Sequence, residues 1–215
     1  MTGEARLAIS LVPQILVFLS LIPFLIKKVE IEKEKILFVL FISFSSIMEI
    51  VADTFSMQGL NNYVFGHIYR AGEFFFFFFL LLQGEKKYRV FWLAAGLVMG
   101  VFVLIDNFWI TPFTQFTSSS TSAQSVFLFV FSSKKIITIT TKNFIPFHKD
   151  ERFYMVTGIF IYTGITALMF IIPGFVFQIL PMWIYFFVAN GTNFFFLASM
   201  VVYYKRRKML AEALK

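Results

Sequence analysis

Long apolar runs, each closed by a short polar segment, set the rhythm of this chain. A helix needs roughly 20 mainly apolar residues to cross the hydrocarbon core of a bilayer. Runs of that kind fall at about 7–26, 36–56, 63–83, 90–110, 118–135, 154–172 and 182–204. Phe, Val and Ile are frequent in them, but barrel strands would alternate with a period of two, and these runs are apolar too continuously for that. The expected fold is therefore all-α: a polytopic integral membrane protein, one transmembrane domain over residues 1–215 built as a seven-transmembrane-helix bundle.

The fifth run is the weakest. It opens on Thr117, Ser118, Ser119, Ser120, Thr121 and Ser122 and is strongly apolar only from Val126 to Phe131. The placement of charge decides in its favour. With seven spans and the N-terminus outside, the inner segments are 27–35, 84–89, 133–153 and 205–215. They hold all but Arg6 and Arg70 of the 19 Lys and Arg residues. Removing the fifth span would send the last two of these basic segments outward, against the positive-inside rule. The C-terminus is accordingly expected in the cytoplasm, and the cell (inner or plasma) membrane is the expected location. The first run lacks a basic leader and is followed by Lys27 and Lys28, so it is expected to remain as a permanent anchor. The longest connection, roughly 136–153, mixes Ile and Thr with Pro146, His148 and charges, a composition suited to a short interfacial segment.

Composition agrees with lipid as the solvent. The 215 residues are 59% hydrophobic, 20% aromatic and only 14% charged, whereas soluble domains carry about 25% charged residues. The net charge of +7 is accounted for by orientation, since the basic residues lie between apolar runs, and no nucleic-acid partner is read from it. With no cysteine the chain has no disulfide framework, no thiol nucleophile and no Cys-ligated zinc.

Ionisable groups at membrane depth cost about 2.5–3.5 kcal/mol each on insertion scales and mark functional sites by default. The second span carries Glu49 and Asp53, four apart and on one helix face. The third carries His67, Arg70 and Glu73 at spacings of three, with Tyr69 beside them. Asp106 and Asn107 end the fourth. Ser118, Thr121, Ser122 and Ser125 give the fifth a polar stripe, Tyr162, Thr163 and Thr166 line the sixth, and Asn190, Thr192 and Asn193 surround Gly191 in the seventh; Gln14 sits in the first. At about 1.5 Å per residue these fall in the outer half of the membrane, whereas the inner halves are mostly Leu, Ile, Val and Phe. A polar pocket in the outward half is expected, with Glu49, Asp53, His67, Tyr69, Arg70, Glu73, Asp106, Asn190 and Asn193 as ligand- or cation-binding residues. Interhelical hydrogen-bond glue, interfacial solvation and a structural Arg70–Glu73 ion pair are the plainer explanations for parts of this set. Glu49 resists them, because four carboxyls face one arginine. Either some carboxyls are protonated or a cation supplies the missing charge. Gly96 and Gly100 form a GxxxG pair, a close-packing face for a neighbouring helix. The run Phe74 to Phe79 points in every direction around its helix and marks bulk apolar contact. Tyr203, Tyr204 and the Lys205–Lys208 cluster read as an interfacial anchor, with anionic-lipid binding a lesser reading.

The stretch Asn62 to Phe74, with His67, Tyr69 and Glu73 at fixed offsets, resembles a group of small bacterial seven-helix membrane proteins of unassigned function. The Ser-rich fifth span, Tyr162 to Gly164 in the sixth and the Asn-rich seventh are similar too. Arg70 departs from the group's pattern. The resemblance implies a seven-helix fold, highlights Asn62, His67, Tyr69 and Glu73, and implies no activity.

A retinal protein is excluded, because it needs a Schiff-base lysine in its last helix, and 182–204 has none. A zinc hydrolase built on His67 with Glu49, Asp53 or Glu73 is conceivable but unsupported by any HExxH-type spacing. No serine protease or nucleotide-loop signature is present, so no catalytic set, metal site or cofactor is read. Two classes remain. One is a non-enzymatic sensor, receptor or accessory subunit, binding a small ligand or cation and meeting a protein partner through the 133–153 loop and the C-terminal tail. The other is a small proton- or cation-coupled transporter or channel, with a homo-oligomer as the route to a pore. The apolar inner halves and the absence of evident inverted repeats favour the first.

Overall fold

The computed structural model describes residues 33–115, 119–142, 146–171 and 182–213, together with Ile15 and Leu19. The first expected span thus lies outside the described residues apart from those two positions. The side chains of Glu49, Asp53, His148 and Asn190 lie outside them as well. All regular structure among the described residues is helical. Helix α1 is Lys33–Met57, α2 Tyr63–Leu82 and α3 Arg89–Ile105, which widens into a π turn at Asp106–Ile110. Helix α4 is Ser119–Lys142, a 3-10 turn covers Phe147–Lys149, α5 is Glu151–Ile171 and α6 is Met182–Ala213. Four stretches are long and apolar enough to cross a membrane: Ile36–Met57, Tyr63–Leu82, Arg89–Ile110 and Glu151–Met169.

The chain divides into two compact units. One holds Glu32–Leu128 and Thr166–Pro173, the other Met1–Ile31, Phe129–Ile165 and Gly174–Lys215. In the first, α1 and α2 form a hairpin around a turn in which Gly59 takes φ +71, a left-handed conformation that glycine adopts without steric penalty. Asn62 Nδ2 donates to the Ala52 carbonyl at 3.5 Å, and the Asn61 side-chain oxygen accepts from the Tyr63 N–H at 2.9 Å. Asn61 thus serves the start of α2, where backbone N–H groups lack intrahelical partners, and Asn62 ties that start back to α1. Aromatic rings fill the seam between the two helices: Phe41 meets Phe77 at 4.7 Å and Phe76 at 5.7 Å. Helix α3 reaches α2 through its glycines, Gly96 lying against the Phe78 ring and Gly100 against Phe75 and Phe74. The GxxxG pair is thus a docking face for aromatic rings.

In the second unit, Phe129 stacks on Phe160 with centroids 4.7 Å apart, and Gly158 faces Phe196 and Phe195. The start of α5 is tied to α6 by polar bonds. Ser199 Oγ donates to the Glu151 carbonyl at 2.7 Å, and the Glu151 carboxylate, buried, pairs with Arg206 at 3.2 Å.

Helix α4 continues to Lys142, beyond the expected span end near 135. Its hydroxyls explain the extension. Thr138 bonds the Lys134 carbonyl, Thr140 that of Ile136 and Thr141 that of Ile137, so each is satisfied one turn back and leaves the helix intact. Pro146 then disfavours helical geometry just before it. Asp150 begins the next helix, accepting from the Arg152 N–H at 3.0 Å in the manner of an N-terminal cap.

Candidate functional site

The spacing of three along α2 sets His67, Arg70 and Glu73 on one face, and all three are buried in the first unit. Arg70 Nη1 donates to Glu73 Oε2 at 2.8 Å. A charged pair at such depth is held by its mutual attraction, because neither partner has water to return to.

The second contribution comes from the end of α3. The wider π turn closes with the Thr111 N–H donating to the Asp106 carbonyl at 2.9 Å, and Pro112 follows. Asn107 Nδ2 donates to the Val103 carbonyl at 2.8 Å and to Ser120 Oγ at 3.2 Å. Asp106 Oδ2 accepts from the Ser120 backbone N–H at 3.1 Å, and its other oxygen accepts from the Thr111 hydroxyl at 3.1 Å. Ser120 is the second residue of α4, so its N–H is one of the donors a helix start leaves unpaired. A carboxylate there also meets the positive end of the helix dipole. Asp106, placed near the outer surface by sequence and open to solvation there, is instead 4% exposed and caps the following helix.

Helix α4 supplies the third side. Ser120, Thr121, Gln124 and Ser125 are buried, Ser122 is half-buried, and Ser118 lies outside the described residues. The polar stripe is thus turned so that Gln124, absent from the expected set, joins it. Below it Phe127 meets Phe74, Trp92 and Phe78 at 6.0, 5.9 and 6.2 Å, an apolar floor.

His67 closes the arrangement from α2. Its Nε2 lies 3.0 Å from the Gln115 carbonyl, and its ring meets Phe113 edge-on at 5.1 Å. A carbonyl has no proton to give, so Nε2 donates, and in the neutral ring Nδ1 is left as an acceptor. Among the described residues, the buried acceptor atoms of this unit without a hydrogen-bond partner include His67 Nδ1, Asn107 Oδ1 and Gln124 Oε1. A buried polar group left unpaired costs about 1–3 kcal/mol, so several within one compact unit form an unusual concentration.

Of the expected site residues, His67, Arg70, Glu73 and Asp106 are buried in the first unit. Tyr69 is half-buried and turns toward α1, parallel to the Phe44 ring at 6.2 Å. Asn193 is half-buried in α6 of the second unit. The side chains of Glu49, Asp53 and Asn190 lie outside the described residues. Sequence reasoning underweighted Asn107 and Gln124. The signal was available for Gln124, an amide four residues from Ser120 within the Ser/Thr-rich start of α4. Among the described residues, no three His, Asp or Glu side chains converge as metal ligands.

These features define an all-helical membrane protein with a polar cluster enclosed among its helices. No protein-family model, curated protein or solved structure matches the chain.

Proposed function

We propose that the chain is a seven-helix protein of the cell membrane, N-terminus outside and C-terminus cytoplasmic, that binds a small ligand or cation in the cluster around His67, Asn107 and Gln124. In this reading it acts as a sensor, receptor or accessory subunit. A shift of α2 against α4 on binding is passed to a protein partner at the 133–153 segment and the basic tail. The observation that carries the reading is the set of unpartnered acceptors on His67, Asn107 and Gln124, since polar groups in lipid are either paired or functional. Helix α6 supports the partner surface. At about 1.5 Å per residue its 32 residues exceed the bilayer core, so Lys205, Arg206 and Arg207 ride on an ordered extension.

The topology has a direct test, because a chain without cysteine gives no background in thiol labelling. In intact cells a membrane-impermeant maleimide is expected to label Gln58→Cys and Thr114→Cys. Lys86→Cys and Lys149→Cys should react only after permeabilisation. All four positions are exposed, so the reverse pattern would invert the orientation. Labelling of Lys149→Cys from outside would remove one span.

A small proton- or cation-coupled transporter is the second reading. It gains from Lys135, Asp150 and Glu151, buried polar residues in the second unit where the sequence suggested plain apolar packing and solvated loops. Reconstitution in liposomes separates the two. Binding that stabilises the protein without flux is expected. Sustained pH- or cation-driven turnover, lost in Glu73→Gln, would replace the sensor reading with the transporter.

A further inference from the structure

The chemistry of the cluster narrows what it binds, and this step rests on the ligand-binding reading above. Asn107 has both amide hydrogens directed at Val103 O and Ser120 Oγ, which fixes its free atom as the carbonyl oxygen. Gln124 presents its Oε1. His67, donating from Nε2 to a carbonyl, presents a lone pair when the ring is neutral. The buried unpartnered atoms of His67, Asn107 and Gln124 are therefore acceptors, and a ligand that answers them must bring hydrogen-bond donors. An anion brings none, and a neutral alcohol brings one.

Charge points the same way. Arg70 and Glu73 offset one another, while Asp106 is held by an N–H and a hydroxyl with no cationic side chain beside it among the described residues. Ser120 and Gln124 are one turn apart on α4, and Asn107 is bonded to Ser120, so Asn107 and Gln124 flank the same turn of that helix.

We infer that the cluster recognises a compact primary ammonium group, R–NH3+, whose N–H bonds go to Asn107 Oδ1 and Gln124 Oε1 and whose charge is balanced by Asp106. His67 Nδ1 takes a further donor at the α2 side. The Phe127, Phe74 and Trp92 rings beneath exclude water and accommodate a short alkyl substituent.

The test is thermal unfolding of the full chain in detergent micelles with methylammonium chloride, against tetramethylammonium chloride, sodium chloride and neutral ethane-1,2-diol at matched concentration. Methylammonium is expected to raise the midpoint in a saturable manner, and the other three are not. Gln124→Met is expected to weaken the methylammonium response at least tenfold. If that variant does not fold, Gln124→Glu, which keeps the carbonyl and adds charge, is expected to strengthen it. Equal stabilisation by tetramethylammonium or sodium, or an unchanged response in Gln124→Met, overturns the inference. Stabilisation by the diol alone through Gln124 overturns the ammonium assignment and leaves the binding site standing. No response to any of the four, with Gln124→Met simply more stable, overturns both.

Discussion

Replacing Arg70 with methionine is expected to destabilise the protein by about 3–5 kcal/mol, the loss typical of removing one partner from a buried ion pair. Both Arg70 and Glu73 are almost fully buried and joined at 2.8 Å. The substitution leaves the carboxylate of Glu73 without its cation at membrane depth. The loss comes less from the bond itself than from the stranded charge, so the double change Arg70→Met with Glu73→Leu is expected to return most of the stability. Equilibrium unfolding in mixed micelles measures both. A single variant within about 1 kcal/mol of the parent would mean that the pair is not what holds Glu73 in place.

A comparable contrast is expected among the glycines, with a change of sign. A Cβ on Gly96 would run into the Phe78 ring. That ring is buried and hemmed in by Phe74 at 5.9 Å, Phe79 at 5.4 Å and Phe127 at 6.2 Å, so it has little freedom to retreat. Gly96→Ala is therefore expected to lose about 1–3 kcal/mol, the range for overpacking. Gly191, also helical, has nothing within 4 Å of its would-be Cβ. Gly191→Ala is expected to be neutral or to gain up to about 1 kcal/mol, because alanine restricts the unfolded chain and favours helix. Thermal midpoints of the two variants beside the parent check the pair. Equal effects at both positions would show that Gly96 owes its place to something other than the Phe78 ring.

The readable part of this protein was the part set by local pattern. Runs of apolar residues fixed where α1, α2, α3 and α5 lie, because a chain in lipid must satisfy its own backbone. Likewise the spacing of His67, Arg70 and Glu73 was enough to place them on one face. How far α4 runs past its apolar part was not legible in composition, which counts Thr138, Thr140 and Thr141 as polar. Their hydroxyls bond to carbonyls one turn back and behave as helix residues.

The candidate site shows the same division more sharply. Asp106 reads in sequence as one more acid near the membrane surface. Its role as the cap of α4 depends on Ser120, which a widened turn brings to its carboxylate. In sequence Asn107 stands beside the more conspicuous Asp106, and Gln124 is one more polar residue in a Ser/Thr-rich stretch. Only the fate of each lone pair separates interhelical glue from an acceptor held open.

By itself the sequence determined the class of protein, where α1, α2, α3 and α5 lie and which of their residues share a helix face. The tertiary structure decided which face turns inward. In the Phe74 to Phe79 run, Phe74, Phe77 and Phe78 are enclosed while Phe79 is 44% exposed, and hydropathy treats all of them alike. The physical reason is that lipid and protein interior are equally apolar solvents, so burying a phenylalanine against either gains much the same free energy. Orientation then falls to shape and to hydrogen bonds: the room beside Gly96 and Gly100, and the pairing of Asp106 and Asn107 with Ser120.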